Sequence, residues 1–374
     1  MIPLRAWTEI DLSAYERNLK KIKRALPQNV AFISVVKADA YGHGLPQIVE
    51  RSLQSGIKTF AVANIQEAFE IRNVGVGWPI LLLGALMPGE EQYIPNSQFI
   101  PTISSLEELI RLERVCQRKE SKAQIHLKID TGMGRLGVWH ADSIECIERI
   151  QASAHLELTG IYTHFSDPVN DREFTLVQRK RLESVVAKLT PSSPLCIHAD
   201  SSASLDALHG SSAYNAVRIG LLQYGVQPYS DMHELPFSLT PTLSFYTKVG
   251  LVKNLPEGTS ISYGRSHVLK SDSKIAILTA GYGDGVPLAY SGRGSVIIQD
   301  TLCPILGRIT MDQIIVDVTA LDSVQSGDTV TLIGQTENCT ISLEQFCQDS
   351  DSIPWEVLCS ITKRVQRIYI NPRT

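Results

Sequence analysis

The sequence predicts an α/β chain: an N-terminal (β/α)8, TIM-like barrel over residues 1–235, followed by a mostly antiparallel β domain over residues 236–374. Two observations carry that prediction. Up to about residue 230, amphipathic stretches alternate with short, apolar, β-branched runs. Buried parallel strands read this way because helices cover both of their faces. Beyond Pro236 and Pro241 the strand-like runs continue, but few helical repeats lie between them, as expected of an antiparallel unit.

Taken in order, Arg5 to Ile10 alternates like a strand and is expected to pair with the second domain, although it precedes the barrel. Leu12, Tyr15, Leu19, Ile22, Ala25 and Leu26 then recur at helical spacing behind Asp11, a residue suited to a helix N-cap. Seven strand-like runs follow: Phe32 to Val36, Phe60 to Ala63, Ile80 to Leu83, Ile125 to Ile129, Leu158 to Tyr162, Leu195 to His198 and Ala216 to Ile219. A weaker one, Gln98 to Ile100, completes the eight that a closed barrel needs. A doubly wound open sheet is the competing fold. In the second domain the runs are Leu243 to Val252, Lys274 to Leu278, Gly294 to Ile298, Ile314 to Val318 and Thr329 to Ile333.

With 43% hydrophobic and 20% charged residues, the composition is that of a globular protein with a sizeable core. A net charge of −4 leaves no electrostatic footprint for nucleic acid or an anionic membrane. The N-terminus has no apolar core of a signal peptide, and the apolar run Ile80 to Met87 is too short to span a bilayer. The seven cysteines are scattered without a Cys-x-x-Cys, which indicates neither a metal site nor a disulfide framework. A soluble catalyst or small-molecule binder of the reducing cytoplasm is expected.

Chemistry concentrates after the first barrel strand, in Val36-Lys37-Ala38-Asp39-Ala40-Tyr41-Gly42-His43-Gly44. A lysine closing an apolar strand projects from the C-terminal face of a barrel, where such enzymes keep their active sites. The glycines that follow are expected to turn the chain tightly and leave room for a ligand. The segment resembles the pyridoxal-phosphate attachment motif of alanine racemases. That resemblance implies that Lys37 holds pyridoxal 5'-phosphate covalently and that Tyr41 contacts its phosphate.

Racemisation of an amino acid needs an electron sink for the Cα carbanion, which this cofactor supplies, and two acid–base groups on opposite faces. The resemblance implies Lys37 for one face. For the other it implies Tyr263, in Ile261-Ser262-Tyr263-Gly264, acting from the C-terminal domain of the partner subunit in a homodimer. Ser201, Gly220 and Leu221, in the segments after barrel strands seven and eight, are implied to bind phosphate. Arg218 is implied to face the pyridine nitrogen. Because arginine does not readily give up a proton, it would leave that nitrogen unprotonated and the sink weaker, which suits racemisation over transamination. His164, closing Ile161-Tyr162-Thr163-His164, is implied to link Arg218 to the catalytic tyrosine.

Gly132-Met133-Gly134-Arg135-Leu136-Gly137 satisfies the Gly-x-Gly-x-x-Gly pattern of dinucleotide sites. Two features oppose that reading. The next amphipathic stretch starts late, near Ala141 to Ile144, and the following strand ends in Tyr162-Thr163-His164 rather than an acid. The longer unit from Lys128 to Gly137 instead resembles the racemase loop. It implies that Arg135 contacts the cofactor's phenolic oxygen and the substrate carboxylate, and that Lys128, carbamylated in many members, holds Arg135 in place. Gly281 to Gly285 and Gly307 to Gln313 also match family motifs. They imply that Tyr282 guards the channel to the site, and that the backbone around Met311 and Asp312 meets the substrate carboxylate.

Three residues depart from the pattern. Asp200 replaces a usual Asn, Thr310 a common Cys, and Trp355 a Tyr that bonds the phosphate and narrows the pocket. An indole has one N–H and no hydroxyl, so Trp355 is expected to shift preference from alanine, toward serine. Asp200 is expected to pair with a cation rather than face the phosphate. Three alternatives stand beside alanine racemase: a broad-specificity racemase, a fold-related decarboxylase, and a barrel-only homeostasis protein that also binds the cofactor. Tyr263 and the segment from Arg308 to Asp312 oppose the decarboxylase, and the C-terminal domain opposes the last.

Overall fold

The computed structural model describes residues 3–189, 194–205, 214–228 and 235–371. Segments 229–234 and 372–374, which adjoin the expected domain boundary and end the second domain, lie outside the described residues, as do Met1 and Ile2.

Strand β1 (Ala6–Asp11) is followed by the helix Leu12–Ala25, where the Asp11 carboxylate accepts the Ala14 amide at 2.8 Å and Lys23 and Arg24 occupy the last turn. Then come β2 (Ala31–Val35), β3 (Phe60–Val62), β4 (Ile80–Leu82), β5 (Phe99–Ile103), β6 (Ala123–Asp130), a short β7 (Val138–Trp139), β8 (Leu156–Tyr162), β9 (Cys196–Ser201) and β10 (Ala216–Ile219). All but β7 belong to the barrel. Each barrel strand pairs in parallel with its neighbours, β10 returns to β2, and the sheet closes without an edge. The weaker eighth run is a full strand, β5, extending to Ile103. The open doubly wound sheet is thereby excluded.

Strands β3 and β4 are buried at every residue, as a parallel sheet covered on both faces requires. Each fully buried Ile or Leu contributes roughly 1.5–3 kcal/mol to this core. Helices Leu45–Gln54, Ile65–Val74, Leu106–Arg118, Ser143–Ala152 and Arg172–Val186 separate the strands. Helix Leu106–Arg118 starts on a capping box of Ser105 and Glu108, and the same Glu108 carboxylate accepts the Leu86 amide at 3.0 Å from the preceding loop.

The second unit is a sheet built on the long strand β11 (Leu243–Leu255). It is flanked by a two-stranded ribbon, β12 (Ser260–Ile261) and β13 (His267–Val268), and continues with β14 (Ser273–Leu278), β15 (Ser295–Ile298), β16 (Thr301–Pro304), β17 (Ile314–Asp317), β18 (Thr329–Gln335), β19 (Thr340–Ile341) and β20 (Gln366–Ile370). Pairing is antiparallel except where β1 meets β20. Strand β1 therefore belongs to this sheet, lying between β11 and β20, as the alternation of Arg5 to Ile10 predicts. Among the described residues no helix is long and apolar enough to cross a membrane.

Candidate active site

Lys37 follows β2, and the backbone after it is unusual. Ala38, Asp39, Ala40 and Tyr41 all have φ of 53–54°, a full turn in the left-handed region. For residues other than glycine this costs about 1–2 kcal/mol each, roughly 4–8 kcal/mol in all. The sequence reading assigns the tight turn to the glycines. The structure shows that non-glycine residues make most of it, and surrounding contacts hold them. Glu67 accepts the Ala38 and Ala63 amides, each at 2.7 Å. Asp39 accepts the Leu45 amide at 2.7 Å, and Arg367 donates to the Gly42 carbonyl at 3.1 Å. Gly42 remains essential at the turn's end: with φ of +76°, any Cβ there would stand 2.3 Å from the Leu358 carbonyl oxygen.

This turn carries Lys37 and Tyr41 into a cavity of about 410 Å³ at the C-terminal ends of the barrel strands. Lys128 of β6, Arg135 of the following loop, His164 after β8, Ser201 at the end of β9 and Arg218 of β10 line it, together with Gly220, Leu221 and Trp355. Ten residues expected from widely separated motifs thus meet in one place.

The electrostatics are one-sided. Lys37, Lys128, Arg135 and Arg218 all face the cavity, and no Asp or Glu is among the described residues lining it. Burial, and then the Arg135 charge, lower the Lys37 pKa. Burial, followed by Arg135 and Arg218, brings Lys128 down to about 8. Arg218 is wholly buried and donates to His198 Nδ1 at 2.6 Å, His164 Nδ1 at 3.1 Å, and the carbonyls of Thr163 and Ala199 at 2.9 Å. A guanidinium only donates, so both histidines present lone pairs to it. His164 is therefore neutral with its proton on Nε2, consistent with a pKa driven well down by burial and then by Arg218.

The cavity fits a ligand that carries phosphate and carboxylate groups. Its donors are cations and hydroxyls. Gly220 leaves a cradle, since a Cβ there would lie 2.7 Å from the Tyr41 phenolic oxygen and 3.9 Å from Ser202 Oγ. Tyr41 itself has its pKa raised by burial and keeps its proton to donate.

Four expected residues lie elsewhere on the chain. Tyr263 is 72% exposed, Met311 53% and Tyr282 44%. Asp312 pairs with Arg364 at 2.7 Å, and the Arg364 guanidinium also reaches Asp284 at 2.7 Å. The Tyr282 and Gly283 amides donate to the carbonyls of Thr310 and Met311, and Ser262 Oγ donates to the Arg308 carbonyl. These residues form a second, outward-facing cluster on the β domain rather than part of the chain's own cavity.

Asp200 is buried and lies 3.4 Å from Arg179, so a cation partner is present where one is expected. The Gly132 loop holds positive φ at all three glycines, and the next helix opens only at Ser143, so its geometry is not that of a dinucleotide turn. Sequence reasoning missed His126, His198 and Glu67 as contributors. The signal for the histidines was available: His126 and Lys128 are two apart on one strand and share a face, within an otherwise apolar run.

Comparison with known proteins extends this likeness over nearly the whole chain. Residues 10–228 match the family model "Alanine racemase, N-terminal domain", and residues 242–369 match "Alanine racemase, C-terminal domain". An alanine racemase of Halothermothrix orenii is 35% identical over 369 residues, covering 98% of this chain and 97% of that one. The crystal structure of an alanine racemase from D-cycloserine-producing Streptomyces lavendulae superposes with a TM-score of 0.92 at 29% identity, over 100% of this chain and 99% of the other. The alanine racemase of Bartonella henselae, solved with covalently bound pyridoxal phosphate, gives a TM-score of 0.88 at 29% identity, covering 98% and 100%.

Proposed function

The chain belongs to the alanine racemase family of pyridoxal-phosphate-dependent isomerases, and from that premise we propose that it interconverts L- and D-alanine by a two-base mechanism. The observation that carries the proposal is the strand-end Lys37 in a cavity lined by four cations and no carboxylate among the described residues. Pyridoxal phosphate, when bound, supplies the conjugated sink that stabilises negative charge at the substrate Cα.

Each residue then has a task. Lys37 holds the cofactor and moves the proton on one face at Nζ, a role favoured by the lowered pKa that burial and Arg135 impose. Tyr263 of the partner subunit serves the other face, which accounts for its exposure on the isolated chain. His164, with Nδ1 committed to Arg218, offers Nε2–H toward that tyrosine's oxygen. Ser201, Gly220, Leu221 and Tyr41 hold the phosphate, with Trp355 beside them. Arg135 receives the substrate carboxylate. Tyr282, Met311 and Asp312 complete the mouth of the partner's site, so the working unit is a homodimer. The division between barrel and β domain is placed at residue 235. Seven unpaired cysteines suit a reducing cytoplasm. The product D-alanine would feed peptidoglycan synthesis.

Chiral chromatography after incubation with the cofactor and single L-amino acids tests the reading. D-alanine is expected to form fastest, and Lys37→Ala to abolish it. Carbon dioxide release, or no racemisation with cofactor bound, would overturn the proposal. Trp355 in the cavity favours a second reading, a preference for serine. That reading fails if Trp355→Tyr leaves the serine-to-alanine ratio of kcat/KM unchanged.

A further inference from the structure

A row of buried hydrogen bonds runs from the cavity into the barrel interior. Arg218 joins His164 Nδ1 at 3.1 Å and His198 Nδ1 at 2.6 Å, and His198 Nε2 meets His126 Nδ1 at 3.0 Å. Only one arrangement of protons satisfies it. Arg218 can only donate, so His198 Nδ1 carries a lone pair and the proton of neutral His198 sits on Nε2. His126 Nδ1 must then accept, which leaves its own proton on Nε2.

We propose that His126 is a positioning residue for the reaction: by accepting the His198 Nε2–H it locks the tautomer that turns an acceptor toward Arg218, and so holds the guanidinium against the cavity. The inference rests on the racemase reading for its catalytic consequence, but not for the proton arrangement. Without an acceptor at His126, the Nε2–H that Arg218 favours on His198 is left unsatisfied inside the barrel, and the proton can shift to Nδ1. Two N–H groups would then face each other across 2.6 Å, and Arg218 would have to move.

The surroundings fit that role. His126 pairs with Gly160 across the β6–β8 ladder, and a Cβ on Gly160 would come within 2.5–2.6 Å of three atoms of the His126 ring. The imidazole has its place because residue 160 lacks a side chain. Tyr162 stacks on His198 at 4.5 Å with 12° between planes, and its hydroxyl is tied to Thr102 at 2.8 Å. Burial keeps both His126 and His198 neutral. A carboxylate in place of these rings would grip Arg218 more strongly, but would also cancel the charge it presents to the cavity. Neutral imidazoles fix geometry while leaving the charge intact.

His126, His198 and Cys196 also lie close enough together to ligate a metal ion. Two features oppose that use: the facing nitrogens of the histidines already share a hydrogen bond, and the Arg218 cation stands against the other nitrogen of His198.

The test joins spectroscopy to a variant series. In ¹⁵N-histidine-labelled protein, His126 and His198 are expected to show bare Nδ1 and protonated Nε2, with or without cofactor. A protonated Nδ1 on His198 overturns the proposal whether or not the protein is a racemase. His126→Asn puts an amide oxygen where Nδ1 stands, while His126→Leu has none. Asn is expected to keep the parental kcat, cofactor absorbance and His198 signature. Leu is expected to lower kcat by on the order of ten- to a hundredfold with little change in KM, and to give a mixed His198 tautomer. Equal losses in folded Asn and Leu variants would mean the ring merely fills space. A stoichiometric divalent metal released by either substitution would make the cluster a metal site. Either result overturns the proposal.

Discussion

Lys128 shows how one residue's surroundings set its chemistry. Its ammonium lies 5.5 Å from the Tyr162 ring centre, and burial, Arg135 and Arg218 bring its pKa down to about 8. Near neutral pH an appreciable fraction is therefore the free amine, which can add carbon dioxide through a new N–C bond as its proton leaves to solvent. The resulting carbamate replaces a positive charge with a negative one in a cavity crowded with cations, which favours its formation. Protein equilibrated with ¹³C-bicarbonate is expected to show a carbamate resonance that Lys128→Ala lacks. A spectrum without that resonance would remove the modification and leave Lys128 a plain cation. The resemblance suggested the modification, but the lowered pKa that favours it came only from the packing.

At the scale of elements, the left-handed turn after β2 is the feature no sequence pattern announced. Ala38, Asp39, Ala40 and Tyr41 do not favour positive φ by themselves, and the sequence reading assigns the turn to the glycines that follow. A contact from a distant segment holds their start, the Ala38 amide gathered by Glu67 of the helix Ile65–Val74, which ties it to the Ala63 amide after β3. Glu67→Ala is expected to cost about 1 kcal/mol in urea unfolding, since water partly replaces the lost acceptor, and Glu67→Gln less. An unaltered midpoint in Glu67→Ala would show that the turn is held by its other contacts. The barrel strands, by contrast, were legible in number, order and position, because burial on both faces demands continuous apolar runs. Where polar residues or a proline flank or break the run the strands extend further than it shows: β5 continues through Pro101 and Thr102 to Ile103, β6 takes in Gln124 and Asp130, β8 begins at Leu156, and β9 continues through Asp200 to Ser201.

For the whole molecule, the expectations concern assembly and acid stability. If the outward cluster around Tyr263 completes the partner's cavity, Lys37→Ala and Tyr263→Phe should each be inactive alone. Mixed dimers would then regain activity, because one site of each holds both native residues. Mixtures that stay inactive after verified subunit exchange would place the whole reaction within one chain. Acid stability follows from the buried imidazoles. His43 is held down to about 4 and His126 to about 3, and His164 and His198 lie well below their ordinary value, all chiefly through burial. Between about pH 4 and 6.5 the unfolded chain binds protons that the folded chain refuses, so stability falls as pH falls through that window. Thermal midpoints measured from pH 7 to 4.5 should decline, and His43→Gln should flatten the decline. A pH-independent midpoint would mean these rings are already protonated in the fold.

By itself the sequence determined the order of strands and helices, the family, and ten residues that line the cavity. Hydrophobic periodicity and contiguous motifs are local properties that a linear chain displays directly. The tertiary structure decided what depends on relations between distant residues. It decided that β1 lies between β11 and β20, that four non-glycine residues bend left-handed with the first of them held by Glu67, and that Tyr263 stands exposed outside its own chain's cavity. It also decided which nitrogen of His198 bears a proton, because Arg218 and His126 hold opposite nitrogens of that ring, and only closure of the barrel brings all three within hydrogen-bonding distance.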